Sequence, residues 1–185
     1  LGGPGESPAE RDALQYAVGR GVFAAISVGN EFDDGNPTEY PAAYAAEIEG
    51  VMSVGAVGRD SQRAFYSNTG SHLEIMAPGG NPRDGSPGGF VWQATILRQD
   101  FDPVSVIRPR FERFAERASA GTSMAAPHVA GLAALLHTQG INRPAAIEAA
   151  IKRFATDLGT VGRDNDYGFG LIHARNTLRG LGAAR

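Results

Sequence analysis

The run Gly121-Thr122-Ser123-Met124-Ala125-Ala126-Pro127-His128-Val129-Ala130-Gly131 constrains this chain more than any other stretch. From Ser123 through Leu132, Ala133, Ala134, Leu135 and Leu136, small or apolar residues fall on every side of a helical wheel. A helix of that kind has no face suited to water and is expected inside the fold. Pro127 fits the first turn of such a helix, where no backbone donor is needed. Ser123 is then expected at or just before the N-terminus, among unpaired N–H groups and at the positive end of the dipole. A serine hydroxyl there is well placed for a reaction whose product is an oxyanion. By itself, Thr-Ser before an apolar run reads first as a plain helix cap on a core helix.

The rest of the chain bounds the fold. Its 185 residues, 42% of them hydrophobic, make one domain's worth of sequence, enough to bury about two-thirds of the unfolded surface. A net charge of -3 argues against a nucleic-acid binder, which is usually basic. No apolar run reaches membrane-spanning length, and no basic-then-apolar signal opens the chain. Zero cysteines exclude disulfides, a thiol nucleophile and cysteine metal sites.

Ser7, Pro8 and Glu10 signpost a first helix as N-cap, first helical residue and capping-box partner. Leu14, Ala17 and Val18 give it an apolar side, and Gly19 or Gly21 ends it. Val22–Val28 and Val51–Val57 read as continuous apolar strands of a parallel sheet. Leu73–Ala77 is a shorter strand, and Phe90–Leu97 a fourth after a Gly/Pro-rich loop. Phe111, Phe114, Ala115 and Ala118 recur at helical spacing, which predicts an amphipathic helix over 108–118. Further helices are predicted from the Ser123 segment, from Pro144 to Phe154 and over Ile172–Leu178. The fold class is α/β, a mostly parallel sheet flanked by helices.

Asn30 follows a predicted strand through Gly29, and sites in open α/β sheets form at the carboxyl ends of strands. Its side-chain N–H suits an oxyanion, although Gly29-Asn30 alone also reads as a turn. Of the four histidines, His128 lies five residues beyond Ser123, so its side chain points away from the hydroxyl. It reads as a hydrogen-bonded core residue, and nothing marks His72, His137 or His173 as a base. The acidic loop Glu31–Asn36 has oxygens for calcium but lacks the full EF-hand pattern, so a solvated turn is the better reading. The arginine-rich stretch 108–117 reads as a charged surface helix rather than a nucleic-acid patch.

The eleven-residue run resembles the nucleophile segment of the subtilisin-like serine peptidases. Other segments match the same family: Ser27-Val28-Gly29-Asn30, Tyr40-Pro41 followed by the VGAV strand, Ser67-Asn68-Thr69-Gly70, Met76-Ala77-Pro78-Gly79 and Tyr167-Gly168-Phe169-Gly170. The resemblance implies a subtilisin-like α/β domain over 1–185, with an insertion around 80–120 and without the family's N-terminal strands. It implies Ser123 as nucleophile, with its N–H and Asn30 as oxyanion donors. Leu1, Gly2 and Gly3 correspond to the edge that pairs with a protein or peptide substrate. Ser27, Val28, Gly29 and Thr122 border the substrate site, and Glu39, just before Tyr-Pro, stands at the floor of the primary pocket. A carboxylate there would favour a basic residue at the cleaved position. No cofactor is implied, calcium only as a structural ion, and export to the cell envelope or beyond only as a family habit.

The family's aspartate and base histidine lie in DTG-like and HGTHVAG-like segments upstream of the serine, and neither occurs here. A serine without a base is a weak nucleophile, and losing that histidine costs about a millionfold in turnover, a magnitude borrowed from subtilisin. The expectation is a C-terminal portion whose partner is the upstream half of the domain. The alternatives are a non-catalytic peptide-binding relative or split subunit, and an unrelated α/β ligand-binding domain with Ser123 as a cap. Without the missing strands the Val22–Val28 edge is open and apolar, which invites aggregation. The isolated 185 residues are therefore expected to be neither stable nor active. Soluble monomers that unfold cooperatively in a denaturant titration would contradict this.

Overall fold

The structure, a computed structural model, describes residues 2–83, 89–96 and 114–180. Three strands form a parallel sheet in the order β1 (Ala24–Ser27), β2 (Val51–Val57), β3 (Ile75–Pro78). The register runs from Ala24 opposite Val51 to Val54 opposite Ile75. β2 is central and every one of its residues is buried. Met52, Val54 and Ala56 face one layer, where Ala125, Val129, Leu132 and Leu136 of helix α2 (Thr122–Thr138) and Ile147 and Ile151 of α3 (Pro144–Arg153) pack. Val51 faces the other layer, with Tyr44, Ala45 and Ile48 beneath Leu14 and Val18 of α1 (Pro8–Gly19). A strand covered on both faces needs a continuous apolar run, and VMSVGAV nearly is one. The last helix, α4, spans Ala174–Gly180. Before it, the Met76 N–H donates to Gly170 O and the Ile172 N–H to Met76 O, which seals the free side of β3.

The signals at α1 behave as read, with one change. The Ser7 hydroxyl accepts the Glu10 N–H at 3.4 Å, and Gly21 follows the helix with φ +89°. The reciprocal capping-box bond is replaced: the Ser7 N–H donates to the Tyr44 hydroxyl at 2.9 Å. That exchange ties the helix start to the core layer under β2.

Four expectations change. The predicted strand at Val22 begins only at Ala24, and Val22 is exposed. Phe114–Ser119, predicted helical, is strand β5, antiparallel to β4 (Val91–Ile96), with Trp92 opposite Ala118 and Ile96 opposite Phe114. Helical spacing of a few apolar residues lost to cross-strand pairing, which single-segment periodicity cannot see; residues 108–113, with Phe111, lie outside the described residues. Helix α2 is not buried all round: Ser123, Pro127, His128, Ala130, Gly131, Ala134 and Leu135 form an exposed side. Pro127 therefore sits in the second turn, because the helix already starts at Thr122. The Ser123 carbonyl loses its i+4 donor there, on the side facing solvent, where the turn has room to adjust.

A buried charge cluster anchors α3. Lys152 Nζ donates to Glu74 Oε1 at 2.6 Å and to Glu148 Oε1 at 2.5 Å, and the Gly50 N–H donates to Glu148 Oε2. Burial pulls Lys152 down, but its bonds to the two carboxylates outweigh this and hold the ammonium above its usual range. Burial pushes the Glu74 carboxyl up to about 7, against the pull of Lys152. One ammonium serves two acids, and Glu148 has the Gly50 N–H as well while Glu74 Oε2 has no partner among the described residues. Replacing Lys152 with Met leaves two buried carboxylates without a cation and is expected to cost about 3–5 kcal/mol, measured by denaturant unfolding. Because the folded Glu74 pKa is raised, its contribution to stability is full below about 4.5 and is lost as pH rises towards about 7. Glu74→Gln should remove that part of the pH dependence, and identical stability-versus-pH curves for the two proteins would refute it.

Candidate active site

β1 ends at Ser27 and the chain passes through buried Val28 to Gly29 and Asn30, beside the start of α2. Asn30 Oδ1 accepts the Thr122 N–H at 2.8 Å and the Thr122 hydroxyl at 3.0 Å. A backbone N–H can only donate, so the amide must present its oxygen to Thr122 and its Nδ2 away from it. Nδ2 has no acceptor among the described residues. Gly121, the N-cap, places the second donor. A methyl carbon built on Gly121 would lie 3.8 Å from Asn30 Nδ2 and 3.8 Å from the Ser123 nitrogen, with no closer neighbour than Asn30 Oδ1 at 3.6 Å. Both donors therefore border one open space that a side chain at 121 would occupy. The Ser123 N–H belongs to the first helical turn, which has no intrahelical acceptor.

Gly29 makes the turn possible. It adopts φ +114°, and a methyl carbon on it would sit 2.5 Å from Asn68 Nδ2, 2.8 Å from Glu31 Oε2 and 2.9 Å from Glu39 Cγ. Asn68, unremarked in the sequence beyond its place in a turn motif, is a buried organiser. Its Oδ1 accepts the Glu31 N–H at 2.7 Å and its Nδ2 donates to Pro37 O at 3.0 Å. Asn36 does the same for the far end of the loop, exchanging bonds with Thr69. The acidic loop is thus held by amides: Glu31 Oε2 takes the Asn30 N–H at 2.5 Å. Among the described residues no three acidic or histidine side chains converge as a metal site would require.

Glu39 is brought to the same place. It is buried, behind Gly29, and its neighbour Tyr40 forms an antiparallel bridge with Gly3 through bonds of 3.0 and 2.8 Å. Burial, and then the charge of Glu31, push its carboxyl above the usual range. Gly2 is exposed, and the bridge takes up the N–H and carbonyl of Gly3; Leu1 lies outside the described residues.

Ser123 is exposed and borders an open depression of about 290 Å³ with Val91, Trp92, Gln93, Met124, Pro127 and His128. His128 is hydrogen-bonded as anticipated, its Nδ1–H to Met124 O at 2.8 Å, but it is exposed and not in the core. The reason is the uncovered side of α2. His72, which nothing in the sequence marks as a base, is buried, with no partner for Nε2 among the described residues. No histidine is hydrogen-bonded to Ser123 among those residues.

The sequence profile of the subtilase family of peptidases matches residues 1–170. The chain belongs to the subtilase family. It is 34% identical to subtilisin amylosacchariticus of Bacillus subtilis subsp. amylosacchariticus over 178 residues, covering 95% of this chain and 38% of that protein. To the subtilisin of Bacillus pumilus it is 35% identical over 180 residues, covering 53% of that relative. This subtilase chain thus spans between about a third and a half of the length of those two relatives. Among solved structures it resembles a lanthipeptide protease (TM-score 0.70, 28% identity, 94% of this chain and 55% of the other). It also resembles a protease from Pseudoalteromonas arctica (TM-score 0.77, 28% identity, 97% and 49%). The α/β fold with a parallel sheet is that of the subtilases.

Thr122 positions Asn30 without facing the open space itself. Thr122→Val keeps the backbone donor and deletes the hydroxyl one. Loss of that bond is expected to lower stability by about 0.5–1.5 kcal/mol, the worth of one neutral hydrogen bond, and Thr122→Ser should restore it; equal denaturant unfolding of the valine variant would show that the hydroxyl does not hold Asn30.

Proposed function

We propose that this chain carries the nucleophile and oxyanion site of a serine endopeptidase. The observation behind this reading is the convergence of Asn30 Nδ2 and the Ser123 N–H on one open space beside the Ser123 helix start. Ser123 Oγ attacks the carbonyl carbon of a peptide bond, and the oxygen, now negative, enters that space. Collapse of the tetrahedral species expels the amine and leaves an acyl-serine, which water hydrolyses by the reverse steps. An extended substrate strand lies along the exposed Gly2, next to the Gly3 groups that Tyr40 already takes up.

The proton of Ser123 needs a base, and its orienting carboxylate must come with it. In this reading both belong to a segment beyond these 185 residues, in the same protein or on a separate fragment. Three features suit such a partner: the open depression beside Ser123, the exposed side of α2, and the edge of β1, which pairs only with β2 among the described residues. The same segment would cover Leu135, which is 47% exposed.

A fluorophosphonate probe on the complete protein should label Ser123, and Ser123→Ala should abolish both labelling and peptide hydrolysis. Asn30→Ala should lower kcat by about 10²–10³, a size borrowed from subtilisin. Specific peptide binding with neither labelling nor turnover would favour the non-catalytic relative instead.

A further inference from the structure

Two large aromatic side chains of the two-stranded sheet β4–β5 stand in the open, Trp92 at 58% and Phe114 at 67% exposure. The register sets Trp92 opposite Ala118, Ala94 opposite Glu116 and Ile96 opposite Phe114. Side chains alternate across a strand, and directly opposed residues share a face. Trp92, Ala94, Glu116 and Phe114 therefore lie on one face, and all four are exposed. The other face carries Val91, Thr95, Ala115 and Ser119, which are half-buried. A scattered surface apolar residue is ordinary, but two large aromatics on one exposed face are what a protein-binding surface presents.

The position of this face says what it meets. β5 runs on into Gly121 and Ser123, so the Trp92–Ala118 end of the sheet is anchored at the site and the Phe114 end is the outer one. The depression beside Ser123 has α2 as one wall and Val91, Trp92 and Gln93 of β4 as the other. Neither Gly2 and Gly3 nor Gly29 and Asn30 line it. In the proposed reaction the acyl half of the substrate lies along Gly2, and its carbonyl oxygen enters the space by Asn30. Beyond that carbonyl the chain continues past Ser123, away from Gly2, and β4 is the wall it reaches. The base must reach the Ser123 hydroxyl on the α2 side, which leaves the β4 side to the substrate. From Trp92 to Ile96, the residue opposite Phe114, β4 spans about 13 Å, room for about four steps of extended peptide.

We infer that the exposed face of β4–β5 binds the leaving half of a protein substrate and selects segments with large apolar residues at alternate positions after the cleaved bond. This rests on the serine-peptidase reading and names the substrate class for that site. The first residue after the bond packs on Trp92. The fifth, which an extended chain presents on the same side, packs on Phe114.

The test uses internally quenched peptides with the complete protein. All share one acyl half and carry five-residue leaving halves with Leu or Ser at the first and fifth positions. Leu should raise kcat/KM roughly 10-fold over Ser at each position, the scale of one apolar contact in a pocket. Trp92→Ala should erase the preference at the first position, and Trp92→Phe should restore it. Phe114→Ala should erase the preference at the fifth position only. Both side chains are exposed, so neither change opens a hole in the core. Equal rates for Leu and Ser peptides, with Ser123 still labelled by a fluorophosphonate, would overturn this inference alone. Preferences that neither alanine variant alters would also overturn it, and would be the result if the rest of the protein covers the face. Failure to cleave any peptide or to label Ser123 would instead remove the peptidase reading itself, and this inference with it.

Discussion

Everything at the site depends on one packing contact, that of helix α2 on the parallel sheet. Ala125, Val129, Leu132 and Leu136 sit over Met52, Val54 and Ala56. The contact fixes the rotation of the helix, because turning it about its axis would bring Ser123 or Pro127 towards the sheet. Its N-terminus is thereby held at the carboxyl end of β1, where Asn30 emerges. The Asn30–Thr122 bonds are the local consequence. They convert a rigid packing arrangement into the orientation of one amide group.

Polar groups follow a common pattern around that frame. Asn30, Asn36 and Asn68 each accept a backbone N–H through Oδ1, and Asn36 and Asn68 also donate a side-chain N–H to a backbone carbonyl. Amides suit loops because they satisfy donors and acceptors without adding charge. The carboxylates are treated differently. Glu74 and Glu148 share Lys152 of α3, whereas Glu39 is buried beside Gly29 with no cation among the described residues.

Much of the sheet was legible from residues alone. The run Val51–Val57 is apolar without a break apart from Ser53 and Gly55, and it lies fully buried; the caps at Ser7 and Gly21 mark the first helix as read. Local chemistry suffices at such places, since a strand buried on both faces and a helix end each carry their own signature. Phe114–Ser119 shows the limit. Its apolar spacing is compatible with a helix, and only the pairing of Trp92 with Ala118 and of Gln93 with Arg117 makes it a strand. Likewise the composition of α2 gives no hint that Leu135 and His128 face outward, because exposure depends on what else packs there.

The site divides along the same line. Ser123 at a helix start and Asn30 after a strand were legible as local features, but residue type and order alone also fit a helix cap and a turn, and it was the family resemblance that singled them out. The sequence by itself determined the chemistry available: a hydroxyl, an amide, helix N–H groups and several carboxylates. Only the tertiary structure decided their use. It set which atom of the Asn30 amide meets Thr122, and it brought Gly2, Gly29, Glu31 and Glu39, from three separated stretches, close together. Such contacts depend on distances between distant segments, which no local pattern encodes.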